Sequence, residues 1–262
     1  MPNKEIQEAS QIVKAELNGY VPYDLTEHPR LQWRPFNQTV ERKHADLFAE
    51  AGTTFDPGNC QGATFHYIGC QVRHNPFYTQ SNEATPRQRY DQFVRIAQLQ
   101  ARFGSSQSVF AAFDALGCDF ISCDEAWYKF SFPEIISRCK MAPDANIFYI
   151  LANCYGTVNE APYSAVHSLT LIKSTDGQVH YFNANRGSII TPDFDSLKTW
   201  ITEAIESEKL GEFSTDKQPH PVRPNVTRKF TQYTLFCYRH PELMPDDHQL
   251  SHLDLPHIKQ FE

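Results

Sequence analysis

Two runs, Ser164–Lys173 and Val179–Phe182, flank Thr175-Asp176-Gly177-Gln178, and this arrangement constrains the chain more than any other feature. An Asp-Gly step between runs of Val, Leu, Ile, Tyr and Phe is a strong hairpin signal, because glycine supplies the positive φ that a tight reversal needs. A hairpin needs a sheet around it, and Ile147–Leu151 and Lys229–Tyr238 read as further strands. Between the third and fourth of these strands, Pro192 opens a helix with Phe194, Leu197, Trp200, Ile201 and Ile205 facing inward.

Upstream of residue 147 the apolar period is helical. Residues 4–17 place Ile6, Ala9, Ile12, Val13 and Leu17 on one stripe, and residues 20–57 read as an irregular arm with a short helix around 40–50. Asn59 is placed to cap a helix running to about Arg73. Thr85-Pro86 starts a longer helix with Tyr90, Phe93, Val94, Ala97 and Ala101 on its inner face. Ser105 or Ser106 caps another, with Val109, Phe110, Phe113 and Leu116 buried and Gly117 as its stop, and a short helix follows over 132–140. Helices first and an antiparallel sheet second give an α+β fold, with an N-terminal helix and arm over 1–50, a main domain over 51–240 and a loosely held tail over 241–262.

Composition narrows the function. The 262 residues are enough for one sizeable core, the net charge of −7 comes without a long basic run, and no stretch has the length and apolar character of a membrane span. Nucleic acid and integral membrane association are therefore not expected. The seven cysteines, an odd number without repeated spacing, follow an N-terminus that does not read as a secretory signal, so reduced thiols are expected. Zinc ligation by Cys118, Cys123 and Cys139 or Cys154 has the wrong spacing for common fingers, and no metal or other cofactor is expected.

One of these thiols stands apart. Cys60 follows Asp56-Pro57-Gly58 and Asn59 at a helix start, where unpaired N–H groups and the helix dipole favour a thiolate. A free thiol, with a pKa of about 8.5, is only slightly ionised at neutral pH without such help. Gly62 leaves room for a substrate main chain, and the Cys60 N–H can serve a developing oxyanion. His66, six positions on, lies on a different side of that helix and is a poor partner. His167 shares a strand face with Leu169 and Leu171. With the turn centred between Asp176 and Gly177, His167 is expected opposite about position 186, near Asn183 and Asn185. Either amide oxygen can accept an imidazole N–H and fix its tautomer. A buried core cysteine, a satisfied core histidine and turn-forming asparagines are the bland alternatives for the same residues.

Gly58-Asn59-Cys60-Gln61-Gly62, His167 and, sixteen residues on, Phe182-Asn183-Ala184-Asn185-Arg186-Gly187 together resemble the YopT-type effector cysteine proteases of bacterial pathogens, which are papain-like. That family has Gly-x-Cys-x-Gly at a helix start, a later His on a strand, and then Phe-Asp-Pro-Asn-x-Gly. The second segment here matches at Phe182, Asn185 and Gly187, with Asn183 at the position of the family's aspartate. The resemblance implies a papain-like fold with Cys60 as nucleophile, His167 as general base and Asn183 as its orienting partner. Asn185 remains the competing third member, and Gly62, Gln61 and Asn185 border the substrate. It further implies a host protein as substrate and export without a cleavable signal from the producer's cytoplasm; a monomer is expected. Glutamine deamidation, transglutamination and a catalytically inert binding module are the alternatives on the same fold. The second oxyanion donor is unassigned, with Asn37, Gln38 and Gln61 as candidates.

Overall fold

The computed structural model describes residues 25, 28–49, 55, 58–79, 84–124, 126–158, 161–206, 218–220 and 223–244. The expected helix over 4–17, the start of the arm and the tail beyond Met244 lie outside the described residues.

Alternation along one long strand sets the architecture. In β4 (Ile147–Val158), Ile147, Tyr149 and Leu151 join one apolar cluster while Phe148, Ile150, Ala152 and Cys154 join another. Both faces of the sheet are therefore covered, which is why the strand reads as a near-continuous apolar run. Helices α2 (Cys60–Val72), α3 (Pro86–Phe103) and α4 (Val109–Ala115) supply Phe65, Ile68, Ile96 and Phe113 to the first cluster. On the other face, α5 (Phe132–Lys140) and α6 (Phe194–Glu206) contribute Ile135, Ile136, Leu197 and Trp200. With α1 (Gln38–Asp46), the described residues hold six α-helices and an antiparallel sheet, an α+β arrangement. Stacked aromatics join helices to strands, with Tyr67 on Phe182 at 4.3 Å and Phe65 on Tyr149 at 5.3 Å. No described helix is long and apolar enough to cross a membrane.

The other strands are β1 (Gln32–Arg34), β2 (Asp119–Cys123), β3 (Tyr128–Lys129), β5 (Ala161–Lys173), β6 (Val179–Asn183), β7 (Gly187–Thr191), β8 (Gln218–His220) and β9 (Arg223–Arg239). Neighbours run β1-β7-β6-β5-β4-β9-β2, with β3 and β8 also paired to β9. The central hairpin differs from expectation by one residue. Ser174 N–H donates to Gln178 O, Gly177 N–H donates to Ser174 O, and Leu169 pairs with Asn183. The loop is therefore Thr175-Asp176-Gly177, centred on Asp176, and Gly177 carries the positive φ of 84° that such a loop requires. In this register His167 aligns with position 185, and Asn183 shares the face of Leu169 and His167.

Three other expectations change. Residues 32–34 are not irregular but add an edge strand to β7. On α3 the buried side chains are Arg89, Gln92, Phe93, Ile96 and Phe103, not the Tyr90, Val94, Ala97 and Ala101 stripe. The polar members are buried because each is satisfied. Arg89 Nη2 and Nε donate to the two Glu41 carboxylate oxygens at 2.7 and 3.1 Å, and Gln92 bonds both the N–H and the C=O of Tyr78. On α4, Phe110 is 49% exposed rather than buried.

The Glu41–Arg89 pair ties α1 to α3 in a region with little water. Replacing one partner leaves the other charge buried without compensation, so Glu41→Ala is expected to cost about 3–5 kcal/mol in urea-induced unfolding. Glu41→Met/Arg89→Met is expected to recover most of that loss, because no buried charge is left.

Candidate active site

Cys60 opens α2, where the first-turn N–H groups lie outside the intrahelical ladder. The helix start is held from two directions. Gln100 of α3 accepts the Gly62 N–H at 2.8 Å, and Ala63 N–H donates to Asn59 O at 2.9 Å. Asn59 occupies the N-cap but makes no side-chain capping bond, so Gln100 takes the capping role expected of it. Thr64 donates its hydroxyl to Cys60 O at 2.8 Å and meets Ser168 Oγ at 3.0 Å, fastening the helix start to β5. The Cys60 thiol, half-buried, lies 3.9 Å from the carbonyl of Val166, the residue before His167.

His167 is buried beside the Phe230 ring, 5.8 Å between centroids. Its Nε2 lies 3.0 Å from Asn183 Oδ1. That amide's orientation is fixed independently, because the Asn185 backbone N–H donates to the same Oδ1 at 3.0 Å and Asn183 Nδ2 donates to Tyr181 Oη at 3.2 Å. An oxygen that accepts a main-chain N–H can only accept from the imidazole as well, so Nε2 carries the proton and Nδ1 is the basic nitrogen of the neutral ring.

The turn after β6 is pinned by the N-terminal segment. Trp33 Nε1 donates to Arg186 O, Asn37 Nδ2 to Asn185 O and Gln38 N–H to Ala184 O, each at 2.8 Å. Gln38 Nε2 donates to Asn185 Oδ1 at 2.9 Å. A Cβ at Gly187, φ +97°, would stand 2.1 Å from Arg34 O, so only glycine lets the two backbones approach. Tyr181 and Phe230 thus flank the imidazole–amide pair, and Trp33 holds the turn beyond it, without having been singled out from the sequence. Tyr181 was within reach of it, being two residues from Asn183 on the same strand face. Trp33 offered no such signal.

Several expected roles have a different physical basis here. Gly62 faces α3, where an added Cβ would meet Ile96 O at 2.2 Å, so helix packing requires the glycine and not open space for a substrate. Gln61 is buried, with Nε2 donating to Ser105 O at 3.1 Å. Asn185 bonds Gln38, leaving Asn183 as the amide at the imidazole. Asn37 caps α1 through Oδ1, accepting from Thr39 and Val40 N–H. Of the three candidates for a second oxyanion donor, each amide nitrogen therefore already serves another acceptor.

At four of the other cysteines burial disfavours the thiolate. Burial pushes Cys70 up to about 11 and Cys118 up to about 12, and raises Cys139 and Cys237 as well. His66 sits 3.7 Å from Cys70, and burial, then Arg95 and Arg73, push it down to about 4.

No family model matches the chain, and no curated protein matches it. Among solved structures it is similar to the Pseudomonas avirulence protein AvrPphB, with 10% identity and a TM-score of 0.41, over 75% of this chain and 100% of that one. At that level of likeness the chemistry of the site rests on its own residues.

Removing the Asn183 amide strands the His167 Nε2–H and the Asn185 N–H in a buried site. Asn183→Ala is expected to destabilise the fold by about 1–3 kcal/mol for the lost acceptor, read by denaturant unfolding. It is also expected to convert the single Nε2–H tautomer of His167 into a mixture, read from the ring nitrogen shifts by NMR.

Proposed function

We propose that this chain is a cysteine hydrolase acting on a protein, with Cys60 as nucleophile, His167 as general base and then acid, and Asn183 as the residue that orients the imidazole. The observation that carries the proposal is the 3.0 Å His167–Asn183 bond on the strand whose Val166 carbonyl meets the Cys60 thiol at 3.9 Å. Nδ1 of His167 accepts the thiol proton, and the thiolate attacks the substrate acyl carbon. The C–N bond breaks as the imidazolium passes that proton to the leaving amine. Water, deprotonated by the same nitrogen, then attacks the thioester, releasing the carboxylic acid and restoring the thiol. The backbone N–H at the start of α2 supplies one oxyanion donor.

The likeness of the Gly58–Gly62 and Phe182–Gly187 segments to YopT-type effectors supports a host protein as substrate, reached by export from the producing bacterium. Peptide cleavage is the default reaction. Loss of ammonia from a glutamine side chain, or its replacement by an amine, uses the same thioester with a different leaving group or acceptor. A second reading, a binding module on this fold, is favoured by the engagement of the Asn37, Gln38 and Gln61 amides elsewhere.

Incubation with a eukaryotic cell extract, followed by mass spectrometry of new N-termini and assay of released ammonia, separates these readings. Peptide cleavage predicts new termini with the wild type and none with Cys60→Ala. His167→Ala is expected to slow cleavage by about 10²–10⁴-fold. Ammonia without new termini reassigns the reaction to amide side chains. Absence of both products, with stable retention of one extract protein, replaces the hydrolase with the binding module.

A further inference from the structure

A cavity lies along α2 toward its C-terminus, away from Cys60. It has a volume of about 640 Å³ and lies between α2, α3, α4 and the Asn75–Tyr78 segment. Phe65, Leu99, Phe103 and Leu116 give it an apolar wall, and Arg73, Arg95 and Arg102 bring three guanidinium groups to its lining. The wall is built rather than incidental, since Gln92 holds both main-chain groups of Tyr78 at 2.8 Å and Gln88 Nε2 donates to Tyr78 Oη at 3.1 Å.

Charge is distributed unusually here for a chain of net charge −7. Asp91 is the acidic residue among the described lining, and it is held by Arg87 at 3.0 Å. Arg102 lies 4.9 Å over the Phe103 ring. Among the described residues neither Arg73 nor Arg95 has an acidic partner. Their fields reach the same spot, for both act on His66 and Cys70, which line the cavity 3.7 Å apart. His66, held down to about 4, is neutral near pH 7 and adds a hydrogen-bonding group without a charge.

We propose that this cavity binds an organic anion, a carboxylate or phosphate head carried on an apolar body. Arg73 and Arg95 hold the head, because a guanidinium fork matches both oxyanions. Phe65, Leu99, Phe103 and Leu116 cover the body, and the volume is that of a small-molecule site. This site is independent of the reaction proposed for Cys60.

Calorimetric titration of the whole chain with octanoate, phenyl phosphate and inorganic phosphate tests it. Saturable binding of octanoate or phenyl phosphate is expected, with inorganic phosphate weaker because it leaves the apolar wall unfilled. Octanoate as the tighter probe assigns a carboxylate head, and phenyl phosphate as the tighter one assigns a phosphate. Arg73→Gln/Arg95→Gln is expected to weaken binding by about tenfold or more, while Lys198→Gln on α6, which packs on the opposite face of the sheet, leaves it unchanged. Arg95→Gln alone serves if the double variant loses its cooperative thermal transition. No saturation with any probe, equal binding by the arginine variants, or equal affinity for inorganic phosphate and phenyl phosphate would overturn the proposal.

Discussion

The three-residue loop at Thr175–Gly177 is the constraint on which the candidate site depends. Side chains on a strand alternate, so the loop length decides which residues of β6 share a face with His167. With Leu169 opposite Asn183, the amide lies diagonally across from the imidazole and closes a 3.0 Å bond. A two-residue loop would pair Asn183 with Thr170 and turn the amide to the opposite face. Gly177, at φ +84°, is what makes the longer loop inexpensive in backbone strain.

A second layer holds this geometry still. The chain leaves β6 at Asn183 and would be free to vary, but Trp33, Asn37 and Gln38 bond three consecutive carbonyls of the turn. The segment that bears them adds β1 to the sheet and is anchored to α3 through Glu41 and Arg89. Fold and site are thus coupled through buried polar contacts, whose loss costs far more than their formation contributes. Cys60 arrives from the other direction, on a helix whose first turn is bonded to α3 by Gln100 and to β5 by Thr64.

Strong periodicity was legible and polar satisfaction was not. The helices near 60–72, 86–103, 132–140 and 194–206, and the central strands, follow from apolar spacing, caps and the Asp-Gly turn. β7 escaped because Gly187-Ser-Ile-Ile-Thr191 is buried at every position and carries no alternation. The inner face of α3 was misplaced because Arg89 and Gln92 are buried by partners distant in sequence or in loop backbone. The neighbourhood of His167 and Asn183 could be read from the hairpin, whereas the choice between Asn183 and Asn185, two residues apart on one face, turned on Gln38 holding the Asn185 amide oxygen from far away in sequence. Gly62 shows the limit of motif reasoning, since a glycine beside a cysteine suggested a path for substrate while the fold needs it for helix contact.

The central claim is that Cys60 and His167 form an activated thiol–imidazole pair. The most direct measurement is the iodoacetamide reaction rate of each cysteine in the folded chain between about pH 5 and 9, in wild type and His167→Ala. The account predicts that Cys60 reacts far faster than the buried thiols, that its rate persists well below the ordinary thiol range, and that the mutation removes the advantage. Slow labelling spread over the cysteines and unchanged by His167→Ala would contradict it, leaving Cys60 as a thiol of the core.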